Sequence, residues 1–157
     1  MRYPLEQLRH EHRDIMTQMA DLRVVVRDLT TRGEAALPDA LPVLRRIAVL
    51  TETQLARHAQ QEDEALFPAL ERLLGADSSP TSAMRAEHAD IHTQAASLRS
   101  LLATGSPAAA LRACAEDLIA QLDSHFAREE EMLFPMIEEL LDDTTLAEVG
   151  RKMEALA

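Results

Sequence analysis

Apolar residues recur at alternating steps of three and four along several long segments of this chain, and prolines, glycines and short polar stretches separate those segments. The first stripe consists of Leu5, Leu8, His12, Ile15, Met19, Leu22, Val26 and Leu29. Such spacing is typical of an α-helix that buries one face. It predicts helices at about residues 4–32, 39–74, 81–103 and 106–141, followed by a short helix at about 144–156.

The connections between the predicted helices are short, which favours antiparallel neighbours. Pro4 and Pro42 suit first turns, Gly33 and Gly75 suit helix ends, and Ser106 suits an N-cap. The fold class expected is therefore all-α: an up-down-up-down antiparallel four-helix bundle with a short C-terminal fifth helix. We expect one domain over 1–157, with the bundle at about 4–142 and the last helix packed on it.

Composition narrows the classes of partner. The chain has 157 residues, 46% of them hydrophobic, and a formal net charge of -11. That charge argues against nucleic acid and anionic membranes as partners. No apolar run is long enough to span a bilayer, and the first residues lack the apolar stretch of a signal peptide. We expect a cytoplasmic monomer or weak homodimer, with the single Cys114 in the core.

Five of the six histidines fall on the inward stripes of the predicted helices. They are His12, His58, His88, His92 and His125. One buried imidazole is usually a satisfied core residue, but five spread over four helices would need many polar partners that this core does not offer. His10 lies off the stripe and is interpreted as a surface residue, with a role as an alternative ligand left open.

Carboxylates accompany these histidines. Glu62 follows His58 by four residues, and Glu129 and Glu130 follow His125 by four and five. Imidazole and carboxylate without thiolate suit iron, manganese or zinc and exclude typical structural zinc sites. The Glu-x-x-His pairs of ferritin-like centres are absent from the sequence.

A count of coordination positions favours two ions. Five histidines, two bridging carboxylates and one bridging oxo or hydroxo oxygen fill all but one of the positions of two six-coordinate ions. Two divalent ions nearly balance the charge of two carboxylates and a hydroxide, which a buried site tolerates. The remaining position would suit a small diatomic ligand or peroxide.

The chain also repeats itself. Glu11-His12 returns as Glu87-His88, and the Leu-Phe-Pro segment that ends at Pro68 returns in the segment that ends at Pro135. The first two helices therefore resemble the last two, which predicts a pseudo-twofold bundle. Both prolines lie inside predicted helices, so we expect a kink or bulge beside the site.

The order His, His-x3-Glu, His-x3-His, His-x4-Glu resembles the hemerythrin-like family, whose HHE domains bind cations. The resemblance implies two irons with bridging carboxylates: one iron on His88, His92 and His125, the other on His12 and His58, and the bridges from Glu62 and Glu130. Glu129 matches Glu62 better by the internal repeat and stays an alternative. His92 favours Glu130, because family members with His-x3-Glu in both halves usually lack that histidine.

The resemblance implies a non-haem di-iron protein that binds dioxygen, nitric oxide or peroxide at the open iron position. Two alternatives remain: a peroxide-decomposing, catalase-like or stress-related enzyme using the same site, and an iron store or donor. Whether the chain is an enzyme stays open. Tyr3, the single tyrosine, lies near the first ligand helix, and a radical or supporting role for it is a further alternative.

Overall fold

The computed structural model describes residues 3–156, and these contain helices and turns but no strand. The α-helices are α1 Tyr3–Arg32, α2 Leu37–Glu52, α3 Gln54–Gln61, α4 Phe67–Leu74, α5 Thr81–Thr104, α6 Ala108–Arg128, α7 Phe134–Leu140 and α8 Asp143–Ala155. Two π-helical segments, Glu62–Leu66 and Glu129–Leu133, join α3 to α4 and α6 to α7. The predicted all-α fold class is confirmed.

Glycines end two of the bundle helices where the sequence predicts it. Gly33 and Gly75, which follow α1 and α4, adopt φ of 59° and 83°, conformations that favour glycine over residues with a Cβ. The N-terminal details differ from the prediction. Ser106 does not cap α6: Pro107 occupies that position, and the backbone N–H of Ala108 donates to the Glu34 carboxylate at 2.8 Å.

The second bundle helix, predicted as one element, is interrupted twice. At Thr53, φ of -111° and ψ of -87° separate α2 from α3. Further along lies the π segment that precedes Pro68, and its counterpart precedes Pro135. Proline has no N–H to donate to the preceding turn, so a wider turn just ahead of it absorbs the mismatch. The predicted irregularity beside each proline is confirmed.

Two apolar cores occupy opposite ends of the bundle. One contains Ile15, Leu55, Ile91 and Leu122; the other contains Leu8, Ala65, Met84 and Leu133. Each bundle helix contributes to both cores, and the order in which the chain passes them alternates from one helix to the next. Contacts join α1 with α2 and α6, and α5 with α2 and α6. This arrangement agrees with four antiparallel neighbours.

The C-terminal helix covers the second of these cores. Asp142 caps α8 by accepting a hydrogen bond from the backbone N–H of Thr145 at 2.8 Å. Leu146, Val149 and Met153 are buried, and α8 contacts α1. No helix within residues 3–156 is long and apolar enough to cross a membrane.

Candidate metal centre

Four histidines lie at the boundary between the two apolar cores, one on each bundle helix. His12 comes from α1, His58 from α3, His88 from α5 and His125 from α6. Each is flanked along its helix by one residue of each core, so the helical stripe turns its imidazole inward. His12, His58 and His125 are buried, and the side chain of His88 is 8% exposed.

The imidazoles meet in two pairs. The Nε2 atoms of His12 and His58 lie 3.0 Å apart, and those of His88 and His125 also lie 3.0 Å apart. Two nitrogen atoms that each lie about 2.1 Å from one ion, with an N–metal–N angle of about 90°, are separated by about this distance. Each pair therefore has the spacing of two neighbouring ligands on a single ion.

Two buried carboxylates lie between the pairs. Glu62 Oε1 is 3.5 Å from Nε2 of His58 and 3.1 Å from Nε2 of His88. Glu129 Oε1 is 3.2 Å from Nε2 of His12 and 3.0 Å from Nε2 of His125. Each carboxylate thus faces one histidine of each pair. The candidate ligand atoms form two overlapping groups that share both glutamates.

The outer nitrogen of every imidazole faces a further carboxylate. The Nδ1 atoms of His58, His88 and His125 lie 2.8 Å from oxygens of Glu11, Asp63 and Glu87. The fourth, Nδ1 of His12, lies 3.1 Å from Glu130. An ionised carboxylate only accepts, so each Nδ1 carries a proton, and a neutral imidazole in this position presents its Nε2 lone pair inward. This is the orientation that metal-binding histidines adopt.

The two ends of the inner shell differ in charge: burial and the adjacent His12 lower the pKa of His58, whereas His125 favours its charged form. Lone pairs of facing Nε2 atoms repel one another unless a proton or a cation lies between them. Burial opposes the charged form of His125, but Glu129 and Glu62 outweigh it and raise the pKa of His125 to about 10. Burial and the adjacent Glu129 charge raise the pKa of Glu62 well above its usual value.

Three carboxylate oxygens in this shell lack a directional hydrogen bond. They are Oε2 of Glu62 and both oxygens of Glu129, all fully buried. Burying carboxylate oxygens in this way is costly unless a cation compensates them. The donor set, the spacing of the nitrogens and the buried carboxylate oxygens fit a metal site.

A family model for the hemerythrin HHE cation-binding domain matches residues 3–137 of the chain. The chain belongs to this family. A search of curated proteins found no significant match. The family identifies the bundle as a cation-binding domain, and the described geometry indicates which of its side chains are arranged to bind.

Glu130 does not join the inner shell of this HHE domain, and this position favours Glu129 over Glu130 as the candidate ligand. The Glu130 side chain is 41% exposed and meets the outer face of His12. Glu129 lies one regular helical turn after His125, on the same face, and the π segment begins only at Glu129 itself. The bulge therefore comes too late to rotate Glu130 inward.

His92 is also outside the inner shell, contrary to the expectation. The buried stripe of α5 passes through Met84, Ile91, Ala95 and Leu98, and His88 continues it with a step of four from Met84 and three to Ile91. His92 lies one residue beyond Ile91 and faces away, where it is exposed. His92 lies four residues after His88, about one helical turn, but it falls outside the line of buried residues on α5.

The remaining candidates lie at the surface. The side chain of His10 is 66% exposed, with Nε2 3.4 Å from Asp14. Tyr3 is 45% exposed, and its ring lies beside Gly150 of α8. Neither belongs to the groups of candidate ligand atoms.

Sequence reasoning missed the supporting role of the outer carboxylates. They are Glu11, Asp63, Glu87 and Glu130. A signal for them was present: the repeat places an acid directly before His12 and His88, and directly after Glu62 and Glu129. Acids adjacent to ligands in both halves of a repeat indicate a shared supporting function.

Proposed function

We propose that this domain holds two iron ions and binds dioxygen or a related small ligand, nitric oxide or peroxide, at them. In this assignment His12 and His58 bind one ion, His88 and His125 bind the other, and Glu62 and Glu129 bridge them. The observation that carries the proposal is the paired geometry: Nε2 atoms 3.0 Å apart in each pair, facing carboxylates shared between the pairs.

The absence of His92 from the inner shell changes the coordination count. Four histidines, two bridging carboxylates and one bridging oxo or hydroxo oxygen leave two positions of two six-coordinate ions unfilled. Because the protein ligands are distributed evenly over the two halves, one open position falls to each ion. Small ligands that bind end-on to one ion or across both would fit.

The outer carboxylates favour iron that can reach its ferric state. Each accepts a hydrogen bond from Nδ1–H and so makes the imidazole a stronger donor to a metal. Their negative charge adds to that of Glu62 and Glu129 and stabilises more highly charged ions. A cytoplasmic location and a monomeric or weakly dimeric state remain predictions from the sequence.

Iron content and the absorption spectrum test the assignment together. We expect about two irons per chain after expression in iron-replete medium, with a charge-transfer band from a bridging oxygen. The reduced protein is then mixed with dioxygen and with nitric oxide under anaerobic control. A spectral change that reverses when the gas is removed supports ligand binding. One zinc per chain, or no metal, would overturn the proposal.

Peroxide decomposition is a second candidate, and the two neighbouring open positions favour it. Two ions that each change oxidation state by one electron together supply the two electrons that reduction of peroxide to water consumes. The oxidised centre would recover those electrons from a second peroxide, releasing dioxygen. Sustained oxygen evolution from hydrogen peroxide by the iron-loaded protein, absent from a His58→Ala variant, would favour this function over reversible binding. An iron store fits less well, since six inner ligands oppose easy release.

A further inference from the structure

The outer carboxylates of the two halves of the centre are contacted by different residues. By the internal repeat, Glu11 corresponds to Glu87, and Asp63 corresponds to Glu130. Inner geometry follows this repeat closely, with the same Nε2 separation in both pairs. The residues that hold the outer carboxylates do not follow it.

In the His88–His125 half, arginine side chains contact both residues that carry the outer carboxylates. Arg128 Nη2 lies 2.6 Å from Glu87 Oε2. Arg85 donates from Nη2 to the backbone carbonyl of Asp63 at 3.0 Å, and its Nη1 lies 3.8 Å from the Asp63 carboxylate. These charged contacts restrain the acceptors, and through them the two imidazoles.

In the His12–His58 half, no arginine within residues 3–156 forms a hydrogen bond or ion pair with Glu11 or Glu130. Glu11 accepts a hydrogen bond from the neutral amide of Gln7 at 3.1 Å. Glu130 is 41% exposed, and within residues 3–156 its side chain has no partner besides His12. The Glu130 oxygen that accepts a hydrogen bond from His12 therefore has no second contact among those residues to fix its position.

The arginine that the repeat supplies to this half pairs with a glutamate that, within residues 3–156, does not contact the histidines. Arg9 corresponds to Arg85, and the two lie over Phe134 and Phe67 at 5.4 and 5.5 Å from the ring centroids. Arg9 forms an ion pair with Glu138 at 2.5 Å and makes no contact with Glu130 among the described residues. Arg85 likewise pairs with Glu71 at 2.9 Å, and Glu71 corresponds to Glu138 in the repeat. Only the additional contacts of Arg85 with Asp63 have no equivalent among the described residues of the other half.

Surface cavities adjoin both halves, but the cavity beside Glu130 is lined by an inner histidine, whereas the cavity beside Glu87 and Arg128 is not. The cavity beside Glu130 is lined by His12, Met16, Phe126 and Glu130, together with Arg13, Ala127 and Glu131. Phe126 stacks on the His12 ring with centroids 4.1 Å apart, so the ring forms part of the cavity wall. A small molecule in this cavity would meet His12 beside the solvated carboxylate.

We propose that the centre is functionally asymmetric: ions enter and leave the His12–His58 half past Glu130, whereas the arginine-clamped His88–His125 half retains its ion. Glu130 is the positioning residue of this exchange. The inference rests on the proposed two-iron function. Its physical basis is that a ring whose acceptor has no second partner leaves an ion more readily than a ring whose acceptor is also held by an arginine.

Release of iron to a chelator measures the asymmetry without any assay of activity. The reduced, iron-loaded protein is mixed with excess bipyridine, and formation of the coloured complex is followed with time. We expect two phases of equal amplitude from the unmodified protein. Glu130→Gln should accelerate the fast phase about tenfold and leave the slow phase unchanged. Glu130→Asp, which keeps the carboxylate, should restore a slower release than Glu130→Gln.

Matched variants assign the phases. Glu131→Gln removes the same charge from the same cavity without touching a histidine, and should change neither phase. Asp63→Asn, the counterpart of Glu130→Gln in the other half, should accelerate the slow phase. His58→Ala should abolish the fast phase. Melting of the iron-free variants, expected to match that of the unmodified protein for Glu130→Gln, separates local positioning from loss of fold.

The outcomes separate this inference from the function on which it rests. Fewer than two irons bound to the unmodified protein would overturn the proposed function. Two irons leaving in a single phase would overturn the asymmetry alone. The asymmetry would also fail if Glu130→Gln left the fast phase unchanged or lost its iron altogether, or if His58→Ala abolished the slow phase.

Discussion

Oε1 of Glu129 lies 3.0 Å from Nε2 of His125, one turn earlier on the same helix. The same oxygen lies 3.2 Å from Nε2 of His12 on α1. One carboxylate therefore links two bundle helices and both histidine pairs. Glu62 occupies the equivalent position beside His58 and His88, so the centre is built from two interlocked copies of one motif.

Glu129→Gln tests this link. The substitution preserves size but removes the charge that would bridge two cations, so we expect iron content to fall from about two per chain to one or fewer. Glu130→Gln removes the same charge one residue later and should retain about two irons under saturating iron. The iron content of both purified variants decides between Glu129 and Glu130 as the bridging carboxylate. The reverse pattern would restore Glu130 as the bridging ligand.

Histidine substitutions test the boundary of the inner shell. His88→Ala removes a ligand that lies 3.0 Å from His125 and 3.1 Å from Glu62, and should lose at least one iron. His92→Ala and His10→Ala alter exposed side chains and should keep full iron content. Iron per chain, measured after identical loading, is the readout. Loss of iron in His92→Ala would show that α5 rotates when metal binds.

Much of this centre follows from the sequence, because helical spacing alone turns His12, His58, His88 and His125 toward one another. The two expected ligands that lie outside the inner shell have a common origin. Both Glu130 and His92 were favoured because a ligand pattern from the family resemblance was placed above the phase of the buried stripe. Where the stripe was followed strictly, as for Glu129 by the internal repeat, the position agrees with the structure.

Other features needed three-dimensional contacts. The ion pairs of Arg85 and Arg128 with the outer carboxylates join residues far apart in sequence, and nothing in the helical pattern assigns these partners. The presence of irregular turns was predictable from Pro68 and Pro135, whereas their π form was not. No proline or glycine lies beside the break at Thr53, so the sequence does not predict it.

Metal loading should stabilise the fold. An ion that binds only the folded chain stabilises it by RT ln(1 + L/Kd), where L is the concentration of free ion. This amounts to about 2.7 kcal/mol when L is about a hundred times Kd. For a domain of this size that corresponds to a rise in melting temperature of roughly 5–10 °C. Thermal unfolding with and without iron measures the rise. A double variant, His58→Ala with His125→Ala, is the control and should show no rise on loading.

The contact between Glu34 and the start of α6 allows a test of the fold apart from the metal. The Glu34 carboxylate accepts the Ala108 N–H at 2.8 Å, in place of the serine cap that the sequence suggested. It satisfies an otherwise free donor and opposes the positive end of the helix dipole. Glu34→Ala should therefore cost about 1 kcal/mol of unfolding free energy in urea while leaving iron content unchanged. Glu139→Ala, an exposed glutamate of α7, is the matched control and should cost less than about 0.5 kcal/mol. Equal losses in the two variants would mean that the contact contributes nothing beyond an exposed charge.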